Sequence, residues 1–324
     1  MAQLTKRQIR RKMRAEEKAE GVSSFQKINR IKKSTNAVLT AVMLIIAILT
    51  VLPVVLCVII SFTSSESLTY NGFSFFPTSF SAKAYKSLFA TGSQIVDSYL
   101  VTILVTAVHT LISIFIMMMY AFVLAHQRFP LKRFYTFVVF FTMLFSGGLV
   151  PSYIINVNYL HLYDTIFILI LSGMVSAYNI IILRTFITTT IPMDLFDAAK
   201  IDGADDFRVF LKIVLPLSKA GLATIGLFSL VGKWNEWFVG MLYIDNPKLI
   251  PLQTMLTRIQ QKIDFVKNNS SVASTPDGQA LLKNMPSEQT RMAIVVVTTV
   301  PILFAYPFFQ RYFIQGMTIG SVKG

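Results

Sequence analysis

Charge is what this sequence has least of. Only 14% of its 324 residues are Asp, Glu, Lys or Arg, where a soluble domain carries roughly a quarter. Hydrophobic residues make up 54% of the chain, so lipid rather than water is predicted to surround much of its surface. There is a single cysteine, Cys57, inside an apolar stretch. That rules out a disulfide within the chain and any cysteine-based metal cluster, and Cys57 reads as a small hydrophobe. No Gly-x4-Gly-Lys-Ser/Thr segment occurs, so the chain is not expected to hydrolyse ATP itself. Neither His-Glu-x-x-His nor Gly-x-Ser-x-Gly occurs, and no residue is assigned as catalytic, cofactor-binding or metal-binding. Acidic residues number 16 against 30 basic ones, a net charge of +14. The excess does not point to nucleic acid, because 11 of the 30 Lys and Arg lie in residues 1–36, just before the first apolar run. A basic cluster there fits an anionic cytoplasmic leaflet.

What is present is long apolar runs. About 20 mostly apolar residues cross ~30 Å of hydrocarbon as a helix, and six stretches qualify: 38–62, 99–125, 134–155, 165–183, 220–244 and 292–313. Helices are predicted for all six, since a helix satisfies its own backbone hydrogen bonds in lipid. The fold class is therefore all-α, a polytopic membrane protein with six transmembrane helices. The first run is too long for the apolar core of a signal peptide and reads as an uncleaved anchor. The loops at 63–98, 146–164 and 245–291 hold only eight Lys and Arg, two, none and six in turn. Most of the rest lie in the N-terminal tail, the 126–133 turn and the 184–219 loop, which places both termini in the cytoplasm. The parts are then a basic tail (1–36), a first span with an external loop (37–98), a five-helix core (99–313) and a C-terminal tail (314–324).

The 184–219 loop is unusual for a connection. Pro192 followed by Asp194 is a helix start, with an acid near the positive end of the dipole. Leu195, Ala198, Ala199 and Ile201 continue it, and Gly203 supplies a permissive stop. Asp205 is placed to cap a second short helix bearing Phe207, Phe210 and Leu211. Two readings of these residues stand: an amphipathic pair lying on the membrane, or a knob that docks a partner.

A resemblance bears on that choice. Asp197-Ala198-Ala199, then Asp202-Gly203-Ala204, then Ile213-x-Leu215-Pro216 resembles the EAA motif of bacterial ATP-binding-cassette importer permeases, with Asp197 where that family usually has Glu. The ending Gly316-Met317-Thr318-x-Gly320-x-Val322-Lys323-Gly324 and the tetrad Trp234-Asn235-Glu236-Trp237 are similar to the MalG-type sugar group. Gly147-Gly148-Leu149-Val150-Pro151 looks most like permeases for complex oligosaccharides. The resemblance spans roughly residues 95–324. It implies a type I importer permease in a bacterial inner membrane, working with a second similar permease, two ATPase subunits that carry ATP and Mg, an extracytoplasmic solute-binding protein and a sugar. Asp197 to Gly203 would be the coupling helix, with Asp197 meeting a basic residue of the ATPase. An importer permease for a non-sugar solute stays open as an alternative, as does an ion-coupled carrier, although that class calls for repeated halves and several buried acids.

For the sugar path the residues leave two readings. Lys233 and Glu236, three apart in the fifth run, either neutralise one another or face a cavity. Trp234 and Trp237 either stack on sugar rings beside Asn235 and Glu236 or belong to the interfacial belt. His109 and Asn179 read first as partners between helices. In the 245–291 loop, Leu252, Leu256, Ile259 and Ile263 repeat at helical spacing. The loop is either a surface linker or, by the resemblance, a contact for the binding protein.

Overall fold

A computed structural model describes residues 33–90, 94–126, 129–269, 275–276, 279 and 286–320, with residues 33, 267 and 311–320 described by backbone alone. Most of the basic N-terminal tail, part of the Ser-rich stretch and the last four residues fall outside the described residues. Among the described residues the regular elements are helices, joined by one isolated antiparallel bridge between Thr63 and Phe80.

The chain divides into two compact units, Met1–Leu56 and Cys57–Gly324. The first holds most of helix α1 (Lys33–Ser61), which runs through Pro53 without a break. Its apolar side chains are exposed nearly all round, from Val38 to Val55, which only a lipid surrounding makes favourable.

The second unit is built on α4 (Gln94–Ala125), 32 residues long. Its buried positions include Val105, His109, Ser113, Met117, Ala121 and Leu124, spaced three to four apart on one face. Ahead of it are two short helices, α2 (Ser65–Asn71) and α3 (Lys83–Leu88). After it come α5 (Lys132–Leu144), then α6 (Leu149–Ile154), which passes into a π turn ending at Tyr159. Next are α7 (Ile166–Leu171), α8 (Ala177–Thr190), α9 (Asp194–Ile201) and α10 (Asp206–Leu217), followed by α11 (Lys219–Trp234) and α12 (Phe238–Tyr243). Two further helices, α13 (Leu252–Asn268) and α14 (Glu288–Gly320), complete the order. Helices α7, α8, α11 and α13 pack around α4, and α14 packs on α11.

The apolar runs predict six helical spans, and three of these runs are broken in the structure. Among the described residues, continuous helices long and apolar enough to cross a membrane are α1, α4 and the Glu288–Gln310 part of α14; up to six spans result if each bent pair of helices counts as one. The 134–155 run breaks after Leu144, and α6 leaves at 110° to α5. Gly148 sits there at φ +86°, a left-handed geometry that costs glycine little. The 165–183 run is interrupted at residues 172–176, with Gly173 at φ +70°. Its second half, α8, continues to Thr190 and then bends 79° into α9. The 220–244 run is broken at residues 235–237, between α11 and α12.

Part of the 245–291 loop is core rather than linker. The helical spacing is realised in α13, where Leu252, Ile263 and Val266 are buried. The Leu252 amide donates to Thr102 Oγ1 on α4 at 2.8 Å. The chain before α13 is latched: Asp164 Oδ1 accepts from the amides of Asp245 and Asn246, at 2.9 and 2.8 Å. Arg258 donates to the Ile244 carbonyl at 2.5 Å, meeting a backbone acceptor past the end of α12. Tyr163 donates to Asp245, and that hydrogen bond first, with partial burial second, pushes the phenol up to about 12. Tyr163 therefore keeps its proton, and the latch its bond, throughout the physiological pH range.

Candidate functional site: an exposed knob and a polar cavity

The knob is made by α9, the turn at Gly203 and α10. Asp205 caps α10 as its sequence position predicts, its Oδ1 accepting from the Arg208 amide at 2.6 Å. Gly203 lies at φ +76° and turns the chain between the two helices. The inner face is firmly keyed. Phe196, Ala199, Val209, Phe210 and Val214 are buried with Met117, Met118 and Phe122 of α4 and with Ile180, Leu183 and Ile187 of α8. The Phe210 ring lies 5.7 Å from Phe122 and 5.8 Å from Phe115, centroid to centroid. Lys200 joins the two arms, 3.6 Å from Asp206 Oδ1, and reaches His126 Nε2 at 3.3 Å.

The outer face is different. Asp197, Ala198, Asp202, Gly203 and Pro216 are exposed, Ile213 and Leu215 are half-buried, and Ala199 points inward. Ile201 is 87% exposed, and Leu195 and Phe207 are also open. These three apolar residues lie outside the motif, and Ile201 is the most exposed of them. It is the last residue of α9, two positions before the Gly203 turn.

The second feature lies where the spans break. A broken helix frees carbonyls that lipid cannot satisfy, and here side chains from other helices take them up. His109 Nδ1 bonds the Ile170 carbonyl at 2.7 Å, Ser113 donates to Met174 at 2.6 Å, and Lys233 Nζ donates to Ser172 at 3.0 Å. A carbonyl only accepts, so Nδ1 carries the His109 proton and Nε2 of the neutral ring is an acceptor. These bonds frame a cavity of about 270 Å³. It is lined by His109, Ser113, Asn179, Ser229, Lys233 and Glu236, together with the Ser172–Gly173 break and Phe228. Removing one staple has a defined cost. Ser113→Ala leaves the Met174 carbonyl without its partner and is expected to lower stability by about 1–3 kcal/mol, read as a lower unfolding midpoint in detergent.

Of the tetrad Trp234-Asn235-Glu236-Trp237, only Glu236 lines this cavity. Trp234 is buried, its indole N–H donating to the Thr298 carbonyl of α14 at 3.0 Å, with Tyr99 edge-on at 6.0 Å. Asn235 is held by the Val231 carbonyl and by Gln253. Trp237 is partly exposed, and its carbonyl accepts from Thr254. The tetrad ends α11 and opens α12. The cavity takes its polar groups one turn earlier on α11 and from α4 and α8. Lys233 and Glu236 do not form an ion pair: Glu236 Oε1 instead accepts from the amides of Phe238 and Val239, at 2.8 and 3.2 Å.

Comparison with known proteins agrees with this architecture. The family described as binding-protein-dependent transport system inner membrane component matches residues 98–319, from α4 to the end of α14. The chain is 38% identical over 283 residues to the polygalacturonan/rhamnogalacturonan transport system permease protein YtcP of Bacillus subtilis (strain 168), covering 87% of this chain and 96% of that protein. It is 37% identical over 277 residues to Protein LplC of the same organism, covering 85% and 90%. A chain in the crystal structure of a bacterial ABC transporter involved in the import of the acidic polysaccharide alginate superposes with a TM-score of 0.73 at 29% identity, covering 88% of this chain and 99% of that one. With all-helical architecture, apolar spans and a family match over more than two-thirds of its length, the chain belongs to the binding-protein-dependent transport system inner membrane components, the permease subunits of ABC importers.

Proposed function

We propose that this chain is one permease half of an ATP-driven oligosaccharide importer. Both termini lie in the cytoplasm, and the α9–α10 knob sits against an ATPase subunit. A permease is a transport component, not an enzyme; ATP and Mg belong to two ATPase subunits, and a second, similar permease completes the pathway. An extracytoplasmic binding protein delivers the sugar, with the latched segment before α13 as part of its landing surface. The substrate class is supported by the similar proteins, one a polygalacturonan/rhamnogalacturonan permease and one an alginate importer.

One observation carries the mechanism. The knob's buried face and the cavity's wall are the same two helices: α4 contributes Met117, Met118 and Phe122 to the knob, and His109, Ser113 and Met117 to the cavity. Helix α8 likewise runs from Asn179 at the cavity to Thr190 beside α9. Packed helices move as rigid bodies, so a push on α9 by a closing ATPase dimer reaches the cavity without passing through a flexible linker. Asp197 and Ala198 face the partner, and Gly203 sets the angle between the arms. Asp202, Ala199, Ile213, Leu215 and Pro216 complete the unit on either side of that turn.

The test is uptake by vesicles holding the assembled transporter. Vanadate, or an ATPase subunit unable to hydrolyse ATP, is expected to stop accumulation of a labelled oligosaccharide. Continued accumulation driven by an ion gradient would replace this reading with that of a secondary carrier.

A further inference from the structure

Lys233 is a half-buried cation with no carboxylate within ion-pair distance, although Glu236 lines the same cavity. Its ammonium has three hydrogens, and the Ser172 carbonyl takes one of them at 3.0 Å. Glu236, one turn further on, is the acid nearest in sequence, yet its Oε1 is occupied by two backbone amides. Among the described residues no ion pair includes Lys233. A charge held within a membrane protein is costly unless it is paired or faces a cavity, and Lys233 lines the polar cavity at the broken spans.

The other groups lining that space suit hydroxyls. His109 Nε2 accepts, the Asn179 amide both donates and accepts, and Ser172, Ser176 and Ser229 add hydroxyls of their own. Such a set reads sugar hydroxyls; the charged groups beside it are Lys233 and Glu236, and Glu236 Oε1 is already engaged by backbone amides, which leaves Lys233 as the cation that faces a ligand. Its volume of about 270 Å³ is near the lower end of the range for ligand pockets, roughly 300 Å³, so it holds part of an oligosaccharide at a time. We propose that Lys233 is the counter-ion for a carboxylate on the transported sugar, so that the pathway favours uronic-acid oligosaccharides over neutral ones. This rests on the oligosaccharide-import reading above and adds the sugar's chemical class and the residue that senses it. Acidic polysaccharides named for similar proteins point the same way.

A merely structural Lys233 would serve only to satisfy Ser172, and the two roles separate by experiment. The complete transporter, with its ATPase, second permease and binding protein, is placed in proteoliposomes. Uptake of a galacturonic acid trisaccharide is compared with uptake of its fully methyl-esterified, neutral form. The binding protein is the same throughout, so a change in the acid-to-neutral ratio reports the permease. Lys233→Gln keeps a donor for the Ser172 carbonyl and removes the charge; it is expected to lower that ratio at least tenfold. Lys233→Arg, which keeps the charge, is expected to restore most of it. If Lys233→Gln slows both sugars in proportion and leaves the ratio unchanged, the lysine is a staple and the proposal is overturned. An unaltered transporter that favours the ester overturns it too. If the unaltered transporter hydrolyses ATP but moves neither sugar, the oligosaccharide reading itself has failed, a separate outcome from an unchanged ratio.

Discussion

Gly203→Val is expected to reduce uptake by the assembled transporter at least tenfold while the protein still inserts and folds. The reason is backbone geometry alone. Gly203 sits at φ +76°, and a Cβ added there meets nothing within 4 Å, so no clash is involved. A side-chain-bearing residue in the left-handed region costs roughly 1–2 kcal/mol, more when β-branched. The local answer is to move φ to negative values, which swings α9 relative to α10. The Ala204 amide donates to the Ala199 carbonyl and the Gly203 amide to Lys200, so both bonds of the turn would be lost with the swing. Asn tolerates this region better than other residues with a side chain, and Gly203→Asn is expected to keep most activity. Equal loss in both variants would place the requirement on glycine's size at a partner surface instead of on the turn. The measurement is initial uptake rate against the amount of assembled complex.

The second large effect is expected at Phe210. This side chain is 2% exposed and lies against Phe115, Phe122 and Phe207. Phe210→Ala removes a fully buried ring, a change that costs about 3–5 kcal/mol. The loss falls at the joint between knob and spans, so its signature differs from that of an ordinary core cavity. ATPase activity of the complex is expected to continue while sugar-stimulated activity and uptake fall together, because α10 no longer moves α4 with it. Phe210→Leu keeps most of the volume and is expected to recover coupling. If Phe210→Ala melts at a lower temperature yet couples fully at low temperature, the ring is packing only and force passes through α9, by Phe196 against Phe122.

The two halves of the mechanism differ in how openly the sequence displays them. The knob is a local structure. Asp205 caps a helix that starts one residue later, and Gly203 turns two residues earlier. Contacts between near neighbours follow from residue type and spacing, so the sequence shows both the helices and their order. The sequence places Ile201 on this helix, but its exposure depends on how the pair packs, not on its own helix.

The cavity is the opposite case. Its three staples join residues 61 positions apart: His109 to Ile170, Ser113 to Met174 and Lys233 to Ser172. Hydropathy over residues 165–183 describes one uninterrupted apolar helix, and nothing within that window supplies the partners that let it break. The tetrad at 234–237 drew attention through its aromatic rings, but α14 buries Trp234 and α13 engages Asn235.

The sequence by itself determined the solvent, the helical class, the apolar runs and the knob. Each follows from apolar content summed over about 20 residues or from interactions within one or two helical turns. Tertiary structure alone decided which runs are broken and which polar groups share a cavity. It also decided that Lys233 and Glu236 go separate ways, to Ser172 and to the amides of Phe238 and Val239. The reason is that a break inside a membrane is stable only when another helix brings hydrogen-bond partners to it, and which helix arrives is set by packing across the whole chain.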